Sequence, residues 1–226
     1  MKTFGIFYTD KKFRDFESIK IEELKLFDQI IPYKREWLEE TKFYLENKEI
    51  LDMLRGGGYW LWKPYIIQET LKKMEYNDVL LYIDAGDKIE LNDLSVIDNH
   101  MKYNDYIITN FNENRKHNYF YTKRDCFILM NCDEVKYYNV RQIEAGVLVF
   151  KKTPKIEEFI NEWLLYCKNK NILTDIPNEY GENIDGFIDH RHDQSILCNL
   201  TVKYNMNYSN VLLPHIHYNY YIASKL

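Results

Sequence analysis

Two acids close the run Val79-Leu80-Leu81-Tyr82-Ile83-Asp84-Ala85-Gly86-Asp87, standing three positions apart on an Ala-Gly turn after five apolar residues. Two hard oxygen donors so close together suit Mg²⁺ or Mn²⁺, cations that also take ligands from phosphate oxygens. A bare D-x-x-D is more often a helix cap beside a solvated acid. The apolar run sets this one apart, because open α/β sheets bind ligands beyond the carboxyl ends of their strands. Upstream lies Arg55-Gly56-Gly57-Gly58-Tyr59-Trp60-Leu61-Trp62-Lys63-Pro64. Its glycines let backbone amides approach a ligand, and Arg55 and Lys63 can meet phosphate charge at a helix start. The segment matches neither Walker nor dinucleotide spacing, and a structural glycine turn accounts for it equally well. Late in the chain come two H-x-H pairs, His190/His192 and His215/His217. Alternation along an extended strand puts both members of a pair on one face, and neutral imidazole is a good metal ligand. Isolated pairs of this kind are nonetheless more often structural.

The elements that must position these residues alternate between strand-like and helix-like patterns, as in α/β domains. Thr3–Tyr8 reads as a first strand. Ile21–Gln29 and Lys34–Asn47 read as helices, the second with Trp37, Phe43 and Tyr44 inward. Pro64 suits the first turn of a helix carrying Ile67, Leu71 and Met74. The run from Val79 to Asp84 suits a buried parallel strand. Tyr106–Thr109 and Gly146–Phe150 are further strands, and Val211–Leu213 a late one. Ile156, Phe159, Ile160, Trp163, Leu164 and Cys167 mark an amphipathic helix whose stripe is core. Asp189–Leu200 reads as another helix. Lys168–Gly186 is the longest irregular stretch, an active-site flap or a plain surface loop.

At 226 residues, with 46% hydrophobic and 29% charged residues, the chain is an ordinary globule of one domain or little more. The sequence predicts a single domain over 1–226. Thirty basic against thirty-five acidic residues give a net charge of −5, which argues against a nucleic-acid partner. Apolar runs are far too short for a transmembrane segment, and charges arrive too early for a signal peptide; the expectation is a cytoplasmic protein. Cys126, Cys132, Cys167 and Cys198 form no C-x-x-C pair and read as reduced core thiols.

Four stretches occur in order: R-G-G-G-Y-W-L-W-K-P-Y-I-I (Arg55–Ile67), L-L-Y-I-D-A-G-D (Leu80–Asp87), E-A-G-V-L-V-F-K-K-T (Glu144–Thr153) and H-R-H-D-Q-S-I-L (His190–Leu197). As a set they resemble small bacterial and viral glycosyltransferase-like proteins with a G-Y-W-x-W-K-P signature. More distantly they are similar to family-8-type retaining glycosyltransferases, whose pattern is strand-D-x-D, N-x-G-V, D-Q-D and a late metal-binding His. The resemblance implies a GT-A-like fold, a mixed, mostly parallel central sheet flanked by helices. It implies a nucleotide-binding half over 1–110 and an acceptor and catalytic half over 111–226. The implied activity is hexosyl transfer from a nucleotide sugar, UDP-sugar favoured over GDP-sugar, to a glycan or other hydroxyl acceptor, assisted by Mn²⁺ or Mg²⁺. For a viral member the location becomes the host cytoplasm.

Carried over, Asp84 matches the first D-x-D acid and touches metal and donor. The second position is Gly86, with Asp87 one residue late: either Asp87 reaches the metal, or coordination is incomplete. Glu144 replaces the Asn of N-x-G-V. Asp193 and Gln194 match the start of D-Q-D near the reacting carbon, while Ser195 replaces its last acid. Tyr8, Thr9 and Asp10 meet the nucleoside; Arg55, Tyr59 and Lys63 serve the donor phosphates; His215 completes the metal site with Asp84 and Asp87. A retaining reaction sets the Gln194 amide at the anomeric centre, and an inverting one uses Asp193 or Glu144 as general base. Tyr218, Tyr220 and Tyr221 either stack on an acceptor or pack as a terminal segment. Three other readings stand beside this one: a nucleotidyltransferase, a glycan-binding module without turnover, and a metallohydrolase built on the His pairs. The first lacks a glycine-rich loop after strand one, and the last lacks a zincin-type helix.

Overall fold

The computed structural model describes residues 1–110, 117–209, 211 and 213, and the backbone of 215–217. Five strands form the central sheet in the order β2-β1-β3-β6-β5: β1 (Thr3–Thr9), β2 (Gln29–Lys34), β3 (Val79–Ile83), β5 (Tyr106–Ile107) and β6 (Val147–Lys151). β1 runs parallel to both β2 and β3, while β6 is antiparallel to β3 and β5. This is the mixed, mostly parallel sheet expected. A separate ribbon pairs β4 (Asp87–Ile89) with β7 (His215–His217), antiparallel. Val211 and Leu213, read from sequence as strand, lie just outside it.

Alternation along β3 covers both faces of the sheet. Leu80 and Tyr82 pack into one core with Ile66, Phe159, Trp163 and Ile196, whereas Val79, Leu81 and Ile83 pack into a second with Leu24, Ile97 and Met101. The first core is built by α2 (Trp62–Leu71), α3 (Pro154–Cys167) and α4 (Asp193–Lys203); α1 (Glu17–Glu23) lies beside the second. All six residues of the predicted α3 stripe are buried, Pro154 opens the helix, and the Thr153 hydroxyl accepts from the Ile156 amide. Such capping ends an orphaned first turn. The four cysteines are buried and unbridged.

Two expected helices differ. The segment predicted as Ile21–Gln29 ends early, and Gln29–Lys34 is strand despite Pro32. Among the described residues β2 is an edge strand that pairs with β1 alone, so a missing amide hydrogen is tolerated there. Lys34–Asn47 breaks into short turns of helix at Arg35–Glu39 and Lys42–Glu46, because Thr41 starts a new helix by accepting from the Tyr44 amide. The irregular stretch over Lys168–Gly186 is anchored. Lys123 Nζ donates to the Thr174 and Ile176 carbonyls, and the Glu179 and Tyr180 amides donate to the Asp125 carboxylate. These bonds tie the segment to residues 123–125.

Candidate functional site

Four chain segments meet at one ammonium group. Lys63, in the first turn of α2, lies 3.2 Å from Asp84 Oδ1 at the end of β3 and 3.2 Å from Asp193 Oδ2 at the start of α4; it donates to the Ala145 carbonyl, just before β6, at 3.0 Å. Strand alternation sets this up. Tyr82 and Asp84, two apart, share the α2 face, and the Tyr82 hydroxyl hydrogen-bonds Asp84 Oδ1. Lys63 is buried, so it is a clamp between two acids and not the phosphate-facing cation expected. Burial pulls its pKa down, but Asp193 and Asp84 outweigh that and hold it above the ordinary lysine value. Burial pushes the Asp193 carboxyl up to about 6 against the pull of Lys63. Burial likewise raises Asp84, with Lys63 opposing and Asp87 adding to the rise. Asp193 sits at the first position of an eleven-residue helix, where the helix dipole favours its charge.

The second acid joins the first over a glycine. A Cβ on Gly146 would collide with Asp87 Oδ2 and lie 3.5 Å from Asp84 Oδ2. The bare Gly146 therefore lets both carboxylates gather above one patch of backbone. The turn between them is closed by the Asp87 amide donating to the Asp84 carbonyl at 3.0 Å, and the buried Lys20 ammonium donates to the Asp87 carbonyl from α1. Among the described residues no group of three or more His, Cys, Asp and Glu side chains forms a metal centre. Two hard donors over a glycine cradle nonetheless fit a cation that fills its shell with phosphate oxygens and water. In the β4–β7 ribbon His217 is the register partner of Asp87, and His215 that of Ile89. The side chains of His215 and His217, and all of Tyr218, Tyr220 and Tyr221, lie outside the described residues.

The glycine triplet forms a left-handed turn. Gly56, Gly57, Gly58, Tyr59 and Trp60 have φ of 57°, 59°, 102°, 53° and 59°. Tyr59 and Trp60 carry Cβ atoms there, at about 1–2 kcal/mol each. Gly58 has no alternative, since a Cβ would lie 2.6 Å from the Leu51 backbone. The turn delivers Trp60 to the wall between two cavities. The larger, about 420 Å³, is lined by Tyr8, Asp10, Lys12, Gly57, Trp62 and the acid turn 84–87 among others. Tyr8 and Trp62 stack at 3.9 Å. The smaller, about 120 Å³, holds Arg55, Arg191, His192, Asp193 and Gln194. Asp84 and Trp60 line both.

Of the residues singled out from sequence, Tyr8, Asp10, Arg55, Lys63, Asp84, Asp87, Asp193 and Gln194 thus come together. Thr9, Tyr59 and Glu144 line neither cavity; Thr9 and Glu144 are buried. Arg55 is engaged by acids, 2.8 Å from Asp175 and 3.4 Å from Asp189. His190 is committed at both nitrogens, donating to the Ile172 carbonyl and accepting from the Lys123 amide. His192 Nδ1 donates to the Leu173 carbonyl. Hence the His190/His192 half of a two-pair metal centre is not assembled. Sequence reasoning missed Tyr82, Lys20, Asp175 and Arg191. An aromatic two residues before a strand-ending acid was the available signal for Tyr82; for the others the chain offered none.

No protein-family model and no curated protein matches the chain. Solved structures do overlap it. One is a glycosyltransferase involved in the glycosylation of the major capsid of PBCV-1: 13% identity, 84% of this chain and 82% of that one, TM-score 0.45. Another is mouse xyloside xylosyltransferase 1: 13% identity, 93% and 72%, TM-score 0.47. A third is the galactosyltransferase LgtC with donor and acceptor sugar analogs: 12% identity, 87% and 70%, TM-score 0.38. Overlaps this partial leave the functional argument to the geometry of the cleft. Among the described residues no helix is long and apolar enough to cross a membrane.

Proposed function

We propose that this chain transfers a glycosyl group from a nucleoside-diphosphate sugar, a UDP-sugar in the first instance, to a hydroxyl acceptor. One observation carries the reading: the 420 Å³ cleft and the 120 Å³ polar cavity meet at Asp84 and Trp60. A ligand that fills the first and ends in the second is elongated, aromatic at one end and polar at the other. In this reading Tyr8, Trp62 and Asp10 take the nucleoside, and the turn at Gly56 and Gly57 offers close backbone approach beside it. The sugar reaches Asp193 and Gln194, whose Nε2 is buried without a hydrogen-bond partner among the described residues. The first half, 1–110, supplies the nucleotide end, and 111–226 supplies Gly146, Arg191, Asp193 and Gln194.

Asp84 and Asp87 would hold a divalent cation, Mn²⁺ or Mg²⁺, which neutralises the departing diphosphate. The chain's own contribution is pre-organisation. Lys63 fixes Asp84 and Asp193 in one geometry before any ligand arrives, and fixed charges aimed at a reacting centre cost no rearrangement during reaction. Arg55 and Arg191 line the smaller cavity, each paired with an acid, Arg55 with Asp175 and Asp189 and Arg191 with Asp189.

UDP and GDP with Mn²⁺ are expected to raise the melting temperature, as any ligand selective for the folded state does. D84N is expected to abolish that shift together with release of UDP from UDP-sugars. Wild-type turnover in D84N would refute the role given to the acid turn. A nucleotide-induced shift without turnover on any nucleotide sugar would favour the binding-module reading.

A further inference from the structure

His192 stands apart from the rest of the cleft. Its φ of 54° with ψ of −119° is a backbone conformation that costs a residue with a side chain about 1–3 kcal/mol. The Nδ1–H is committed to the Leu173 carbonyl at 2.8 Å, which fixes the tautomer and leaves the Nε2 lone pair as an acceptor. Nε2 is buried without a hydrogen-bond partner among the described residues, in a side chain only 2% exposed. The ring is stacked on Trp60 at 5.5 Å, and Tyr59 meets its edge at 4.8 Å. Two positive-φ residues of the left-handed turn thus pack against a third. Strain of this kind persists where surrounding structure imposes it, and it gathers at functional sites. Satisfying a buried ring nitrogen is the ordinary outcome of folding, as neighbouring His190 illustrates; His192, which lines the polar cavity, has one nitrogen without a partner among the described residues.

We propose that His192 Nε2 accepts the proton of the incoming hydroxyl, a role that rests on the glycosyl-transfer reading above. The acceptor oxygen forms its bond to the anomeric carbon while that carbon's bond to the diphosphate oxygen breaks. The bonding pair leaves with the nucleoside diphosphate, and the hydroxyl proton passes to Nε2. The resulting imidazolium faces Asp175 Oδ1, 3.8 Å away. Asp193 is the rival proton acceptor, but its Oδ2 is already occupied by the Lys63 ammonium at 3.2 Å. Other charged groups act on the ring as well: Arg55, which disfavours the imidazolium, and Asp189, which favours it, with the His190 ring 5.0 Å away. Burial lowers the His192 pKa, so the ring is neutral and able to take a proton at neutral pH. Arg55 bridges Asp175 and Asp189 beside it. A diphosphate drawing Arg55 away would free Asp175 to face the imidazolium.

The test uses H192G, because glycine adopts this backbone without strain, and H192N, whose amide can keep the bond to Leu173. Release of UDP from UDP-hexoses is measured with water or glycerol as the hydroxyl, alongside the thermal shift induced by UDP and Mn²⁺. Both variants are expected to keep the thermal shift and to lose turnover by about 10²–10⁴-fold, the range for a positioned general base. Added imidazole is expected to restore turnover in H192G, where a cavity of ring size is opened, and not in H192N. Turnover near the wild-type level in both variants would overturn the assignment, and so would a loss in H192G that imidazole does not relieve. Failure of the wild type to bind UDP or to turn over any UDP-hexose would overturn the glycosyl-transfer reading and this inference with it.

Discussion

Replacing Lys63 by Met tests the clamp without reference to any substrate. Met keeps most of the lysine side chain's length, but Asp84 and Asp193 each lose a cation at 3.2 Å. Removing one partner of a buried ion pair costs about 3–5 kcal/mol, because the charge left behind stays desolvated. In a chain of this length that corresponds to a fall in melting temperature of about 6–20 °C. The deficit must depend on pH. Asp193 already titrates near 6 in the folded protein, above its unfolded value, and Asp84 is raised as well; without Lys63 both rise further. A carboxyl with a raised folded pKa destabilises the folded state above that pKa and stops doing so once protonated. Urea unfolding of K63M is therefore expected to show the full deficit at pH 7.5 and to recover most of it at pH 5. K63M/D193N should be more stable than K63M at pH 7.5. A deficit below about 1 kcal/mol, or one unchanged between the two pH values, would refute the clamp.

Two further outcomes follow from the same geometry. G146A drives a methyl group into Asp87 Oδ2; it is expected to cost about 1–3 kcal/mol in stability and to weaken Mn²⁺-dependent UDP binding about 10–100-fold, as read by calorimetry. For Asp193, the folded pKa near 6 against 3.8 means that the folded protein holds this proton more tightly than the unfolded one. Its contribution to stability declines as pH rises from about 4 to 6, by about 3 kcal/mol at 1.36 kcal/mol per pKa unit. The difference in unfolding free energy between D193N and the wild type is expected to move in favour of the variant across that window. A flat difference would place the Asp193 pKa at its ordinary value.

What was legible in the sequence followed from short-range pattern. β3 announces itself by five apolar residues, and α3 by a stripe at helical spacing with Thr153-Pro154 at its start. β2 was hidden because Pro32 argues against a strand until its place at the sheet edge is known. The acids of the site were nameable one by one, but their convergence was not. Lys63, Asp84, Ala145 and Asp193 meet only because β3 and β6 pair and two helices start at the same end of the sheet. Burial then reverses the reading of Lys63, from a cation awaiting phosphate to one already paired. The glycine triplet signalled a turn, but nothing in it signalled that Tyr59 and Trp60 follow the glycines into left-handed backbone.

The most direct test of the central claim is a crystal structure of the protein soaked with UDP and Mn²⁺. The account predicts an anomalous manganese peak between Asp84 and Asp87, the diphosphate beside it, and the uracil in the cleft walled by Tyr8 and Trp62. Manganese bound elsewhere, or a nucleotide lodged away from the junction of the two cavities, would contradict it.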